Sequence, residues 1–177
     1  KWYSLCMDDV VVVNEKDEVI GTMSREIAHQ NGTPHRIAVV YVANPEGKIL
    51  VQVRMTGRLD HSSAGHVNLG EEYLAAARRE LSEELGMNNV ELKLIGHGVS
   101  REIIPEMVDH RVHVMEIFSC VGEPGKLQEE EVRDVYWADP KEILAEMEDS
   151  PKDMKFSGGF RTSLPIYLAN EAMDRGS

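Results

Sequence analysis

The apolar positions of the chain fall into short β-branched runs and helical stripes, punctuated by Gly, Pro and Asn turn signals. Residues 8–13 end in DVVVV, the turn Asn14-Glu15-Lys16-Asp17 follows, and residues 18–23 resume the run, which predicts a hairpin. Ser24 can cap a short helix over 25–30 that Asn31-Gly32 ends. Residues 35–43 (HRIAVVYVA) read as a buried strand, Asn44-Pro45-Glu46-Gly47 as a turn, and residues 48–55 as an alternating partner strand. Further strands are predicted at 90–99 and 111–121, joined by a polar loop around Ile104-Pro105-Glu106, and at 132–137 after the turn 122–125. Asp139 and Pro140 open a helix reaching about Met147. Residues 150–159 read as a loop before a closing helix in the region 164–173. Strands interleaved with helices on this scale predict a mixed sheet with helices on both faces, an α/β/α sandwich.

Between the second and third predicted strand pairs lies the most informative stretch. Residues 71–85 are rich in Ala, Leu, Glu and Arg, contain no Gly, Pro or β-branched residue, and stop at Gly86, which suits a left-handed cap. Leu74, Ala77, Leu81 and Leu85 recur at helical spacing and are expected to face the core. Glu80, Glu83 and Glu84 fall together on a neighbouring face. The preceding segment, SSAGHVNLGEE, reads as a loop whose Gly65 and Gly70 let the backbone offer a carbonyl to a metal or amides to a phosphate.

Three carboxylates this close repel one another, so a cation is expected among them. Oxygen-only donors suit hard ions: Mg2+ is the first candidate and Mn2+ the second. Arg79, four positions before Glu83, can orient that carboxylate without competing for the metal. Arg36 and Arg54 are candidates for the phosphates of a substrate.

Length and charge narrow the partners. A chain of 177 residues fits one domain, and a net charge of −12 argues against a nucleic-acid polymer or an anionic membrane as partner. A small polyphosphate remains compatible if metal ions supply local positive charge. No apolar run reaches membrane-spanning length, KWYSLCMDD lacks the shape of a signal peptide, and the chain has no initiating Met, which leaves room for residues upstream. Cys6 and Cys120 are too few and too far apart for a metal knuckle or disulfide framework, which points to a reducing, cytoplasmic setting.

Residues 65–87, GHVNLGEEYLAAARRELSEELGM, match Gx5Ex7REUxEExGU, with U a bulky aliphatic residue, at Gly65, Glu71, Arg79, Glu80, Leu81, Glu83, Glu84, Gly86 and Met87. The segment resembles the Nudix hydrolases, and the resemblance implies the same α/β/α sandwich over a single domain. It also implies metal-assisted hydrolysis of a diphosphate linkage in a small molecule, a nucleoside diphosphate joined to another moiety. In that reading Glu80 and Glu84 ligate Mg2+, the Gly65 carbonyl joins them, and Glu83 either ligates a further ion or holds the attacking water. Arg79 fixes the carboxylates, and Glu71 anchors the loop or bears on the metal through water. A general base on a loop before the last strand is usual in the family; Glu131 matches that place, with Glu129 and Glu130 as rivals. Homodimers are common in the family, which leaves a dimer open.

Upstream of the box, Gly21, Arg25, His29, Gly32, His35 and Arg36 resemble the branch containing isopentenyl diphosphate isomerase. There, histidines matching His29, His35 and His66 help bind a metal, a catalytic cysteine lies two positions before the third, and a downstream glutamate pair completes the site. In this chain Ala64 holds the cysteine position, and the pair aligns with Asp109 and Arg111. The residues for protonating and deprotonating an allylic carbon are therefore missing, and hydrolysis is expected in place of isomerisation. The remaining alternatives are an isomerase-like enzyme, in which His29, His35 and His66 form an altered site or His66 meets substrate, and a non-catalytic ligand sensor, whose mark is a damaged box. Substrate hints are thin: Ile104 stands where diadenosine polyphosphate hydrolases carry tyrosine, and Pro105 lies near a proline of ADP-ribose hydrolases.

Overall fold

The sheet is built around β3 (His35–Ala43), whose alternate side chains feed two separate cores. A computed structural model describes residues 9–104, 109–151 and 154–175, so Cys6, Pro105 and Glu106 lie outside the described residues. β1 (Asp9–Val13) and β2 (Val19–Ser24) form the expected antiparallel hairpin. Its turn is held by the Asn14 side-chain oxygen, which accepts from the amides of Lys16 and Glu18. The Ser24 hydroxyl accepts from the Ile27 amide to cap α1 (Arg25–Asn31), and Gly32, at φ 64°, ends it.

β8 (Asp109–Val121) runs parallel to β3 and β6 (Ser63–His66) runs antiparallel to it. β4 (Ile49–Arg54) meets β3 at Ala43 and Ile49, and otherwise pairs with β5 (Leu59–Asp60) and β9 (Val132–Ala138). β7 (Lys93–Ile104) pairs antiparallel with β8. The sheet is therefore mixed, as the interleaved pattern predicts.

On one face, Ile37, Val39 and Tyr41 pack with Met115, Ile117 and residues of α3 (Pro140–Asp149) and α4 (Gly158–Arg175). On the other, Ala38, Val40 and Val42 pack against α2 (Tyr73–Leu85) through Tyr73, Ala76, Ala77, Leu81 and Leu85. Burying each large aliphatic in such a layer stabilises by about 1.5–3 kcal/mol.

Three expectations need correction. Leu74 does not face the core; it is 37% exposed, and Tyr73 takes the buried place one position earlier. The supposed loop before α2 contains the strand β6, which its Ser and Gly content disguises. α4 begins at Gly158, inside the predicted loop, because the Ser157 hydroxyl accepts from the Phe160 amide and satisfies its first turn. No helix among the described residues is long and apolar enough to cross a membrane.

Candidate active site

The C-terminal turn of α2 ends at Gly86 in a left-handed conformation with φ 62°. A β-carbon there would meet the Lys126 backbone at 2.8 Å, so the glycine is fixed both by its dihedral and by a neighbouring chain. The buried face of α2 sets its rotation and brings its acids beside residues 64 and 65. Glu84 is 1% exposed, its Oε2 accepting from the Ala64 amide at 3.1 Å. Burial, reinforced by Glu80, pushes its carboxyl up to about 7. Burial also raises the Glu80 carboxyl, against the pull of Arg79.

Glu80 lies flat on the backbone of Gly65: a β-carbon built there would stand 1.9 Å from the Glu80 Cδ. Arg79 is the hub beside them. Its Nε and Nη2 donate to the two oxygens of Glu71 at 2.9 and 3.0 Å, and Nη1 donates to Glu80 and, at 3.2 Å, to Glu83. Nη2 also reaches the His66 carbonyl at 2.9 Å. The Glu71 Oε2 in turn accepts from the Asn68 amide at 2.9 Å, tying the loop to the start of α2. One guanidinium thus faces three carboxylates, and Glu84, the most buried acid of the group, has no ion pair among the described residues. Such a desolvated, oxygen-only set fits a hard divalent cation, whose charge would relieve both the repulsion and the raised carboxyls.

A cavity of about 720 Å³ is lined by Gly65, Glu80 and Glu83 and by Arg25, Arg54 and Arg111, with Glu84 buried behind it. Glu131 also lines it, whereas Glu129 and Glu130 do not. Arg36 stands apart. Strand alternation turns it to the α2 face, where it donates to Asp17 and lies 5.0 Å over the Tyr73 ring, so the cavity does not receive it.

Arg54 is held at the cavity by Asp60, 3.0 Å away. The sequence gives no warning of Asp60, a lone acid near a turn. It is buried on β5 and accepts from the Ser157 hydroxyl at 2.6 Å and the His61 amide at 2.9 Å. Although burial pushes its carboxyl up, His61, Arg54 and Ser157 hold it far below the usual range.

Four imidazoles converge, from His29, His35, His66 and His113; three of them line the cavity and His35 is buried beneath. Asp109 and Arg111, the positions aligned with the isomerases' glutamate pair, pair with each other, and the residue that joins the three histidines is His113. Parallel pairing of β8 with β3 sets His113 directly beside His35. The only sequence signal for His113 is the alternation of HRVHVM along a strand.

Buried carboxylates on one helix turn, a glycine pressed against one of them and a cavity that arginines also line are thus brought together. The NUDIX domain model matches residues 33–157, and the chain belongs to the Nudix family. It is a Nudix hydrolase, an enzyme acting on diphosphate-containing small molecules, in a family that generally uses a divalent metal. It is 38% identical over 151 residues to the uncharacterized Nudix hydrolase YfcD of Escherichia coli strain K12, covering 81% of each chain. It is 29% identical over 173 residues to an isopentenyl-diphosphate Delta-isomerase of Serratia proteamaculans, covering 93% of this chain and 94% of that one. The fold is similar to that of DR0079 from Deinococcus radiodurans, with a TM-score of 0.68 at 21% identity over 86% of this chain and 94% of that one.

Proposed function

We propose that the protein is a Mg2+-dependent hydrolase that cleaves the diphosphate linkage of a substrate in which a nucleoside diphosphate is joined to a second moiety. The observation that carries this reading is that one cavity is lined by both the acids Glu80 and Glu83 and three arginines, beside the buried Glu84. Glu80, Glu84 and the Gly65 carbonyl would hold the ion, with Glu83 at the rim. When bound, Mg2+ supplies charge to the phosphate oxygens and lowers the pKa of water. Mn2+ would substitute.

The remaining work belongs to the chain. Arg54, steadied by Asp60, meets the phosphate charge, with Arg25 and Arg111 within reach of the same anion. Arg79 holds Glu71, Glu80 and Glu83 in register, and Glu71 keeps the loop bearing Asn68 closed on α2. Glu131 takes the proton from the attacking water, and the leaving phosphate departs as the P–O bond breaks. His66 contributes its carbonyl to Arg79 rather than its ring to the acidic wall. A small-molecule partner in a reducing, cytoplasmic setting fits the net charge of −12.

The isomerase-named relative is the observation behind a second reading. Against it stand Ala64, which offers no thiol, and Arg111, which is paired to Asp109 where a carboxylate belongs. Both readings are tested together. The protein is incubated with Mg2+ and a panel of nucleotide sugars, dinucleotides, nucleoside triphosphates and isopentenyl diphosphate, and products are identified by mass. Hydrolysis of a nucleoside-diphosphate conjugate supports the proposal. Conversion of isopentenyl to dimethylallyl diphosphate, without any hydrolysis, overturns it.

A further inference from the structure

The rings of the four clustered histidines are not used by the carboxylate chemistry. They come from four different elements: His29 from α1, His35 from β3, His66 from β6 and His113 from β8. One ring nitrogen of each lies within 4.8 Å of the corresponding nitrogen of the other three, and the ring centroids are 4.8 to 6.0 Å apart. The Nε2 atoms of all four are buried and have no hydrogen-bond partner. Leaving one buried polar atom unpaired costs about 1–3 kcal/mol. Four at one point call for a common partner.

The opposite edges of two rings show how that partner is addressed. The Nδ1 of His35 lies 2.8 Å from the Thr33 carbonyl, which can only accept, so the proton sits on Nδ1 and the Nε2 lone pair points inward. The Nδ1 of His29 faces the Asp109 carboxylate at 3.5 Å, the carboxylate–histidine arrangement that orients metal-ligating imidazoles. Asp109 is itself held by Arg111. Burial keeps the rings neutral, the form that donates a lone pair.

We infer that His29, His35, His66 and His113 form a closed, all-nitrogen site for one divalent transition-metal ion, Zn2+ in the first place, separate from the carboxylate site. A tetrahedral ion with metal–nitrogen bonds of about 2.0–2.1 Å sets its ligands about 3.3–3.4 Å apart, so contraction on the order of 1 Å per ring suffices. Four imidazoles and no carboxylate favour Zn2+, Co2+ or Ni2+ over Mg2+ and Ca2+. The set also differs from the three histidines and glutamate pair that the isomerase resemblance implies, because its fourth donor is the His113 nitrogen. With all four positions taken by protein, the ion is structural: it fastens α1 to β3, β6 and β8. Through β6 it steadies the strand that carries Gly65, next to the His66 carbonyl that holds Arg79.

The test uses the full chain stripped of metal with a chelator, then titrated with Zn2+ against a chromophoric chelator, and with Co2+ followed by its visible absorption. The expected result is one Zn2+ per chain with a Kd below about 1 μM, an intense four-coordinate Co2+ spectrum, and a rise in Tm in the absence of Mg2+. His113→Ala weakens binding by about 100-fold or more and abolishes that spectrum, while Asp109→Asn weakens it about 10- to 100-fold. Glu84→Gln retains the Zn2+ site and loses hydrolysis, so the two sites fail separately. If His113→Ala does not fold, His29→Gln on α1 and Asp109→Asn decide. No Zn2+ binding tighter than about 1 μM by the parent, or binding that survives His113→Ala or His29→Gln and disappears in Glu84→Gln, overturns the inference.

Discussion

The Glu80 carboxylate occupies the space where a β-carbon of residue 65 would sit, 1.9 Å from Glu80 Cδ and 2.0 Å from Oε1. Glycine at 65 therefore sets the position of an acid fifteen residues away, because only a bare backbone lets the side chain lie against β6.

Gly65→Ala is expected to lower hydrolysis about 100-fold, since displacing a reacting group by an ångström costs on that order. The colliding atoms belong to a flexible side chain that can swing aside, so stability should fall by only about 1–3 kcal/mol. Steady-state kinetics alongside a thermal melt checks both halves; an unchanged kcat would show that Glu80 need not lie against β6.

Arg79 faces Glu71, Glu80 and Glu83 at once, so its contribution cannot be divided among them by single substitutions. The double-mutant cycle of Arg79→Ala and Glu71→Ala should give a coupling of about 0.5–3 kcal/mol in thermal or denaturant unfolding. Additive effects would mean that the bidentate pair seen here does not persist in solution.

Much of this arrangement was legible in the sequence, and the failures have physical causes. The box, the Gly86 cap and the strand 35–43 announce themselves because each is local: spacing, dihedral and β-branched content suffice. Leu74 reads as a core residue because the stripe that is buried includes Glu84, a charged residue that hydropathy places outside. Arg36 reads as a phosphate ligand until strand alternation turns it to Asp17 and Tyr73. His113 and Asp60 were invisible for another reason. Each acquires its role through partners distant in sequence, His113 from the β3–β8 register and Asp60 from Ser157.

Asp60 leads to a stability prediction. Its carboxyl lies below the usual range, so its contribution is fully present above about pH 4 and is lost as pH falls below the unfolded-state value. Asp60→Ala strands the Arg54 guanidinium and the His61 ring, and should cost about 3–5 kcal/mol at pH 7. The gap between the melts of parent and variant should begin to narrow below about pH 4 and keep narrowing as the pH drops further; a constant gap would deny the ionic origin.

Glu84 behaves in the opposite sense. Its folded-state carboxyl is raised from 4.5 to about 7, so the metal-free fold loses stability as pH climbs through that interval, by on the order of 3 kcal/mol. Below pH 4.5 both states are protonated and nothing is lost. An ion held by Glu84 must compete with its proton, so saturating Mg2+ should raise Tm strongly at pH 8 and hardly at pH 5. Thermal shifts of equal size at both pH values would place the ion elsewhere.

The most direct measurement is hydrolysis by Glu84→Gln at saturating Mg2+, read beside its melting temperature without metal. Removing a buried charge while keeping an oxygen for the Ala64 amide should leave Tm equal to or above that of the parent, and turnover should drop about 1,000-fold or more. Turnover at the parental rate by the folded variant would contradict the account.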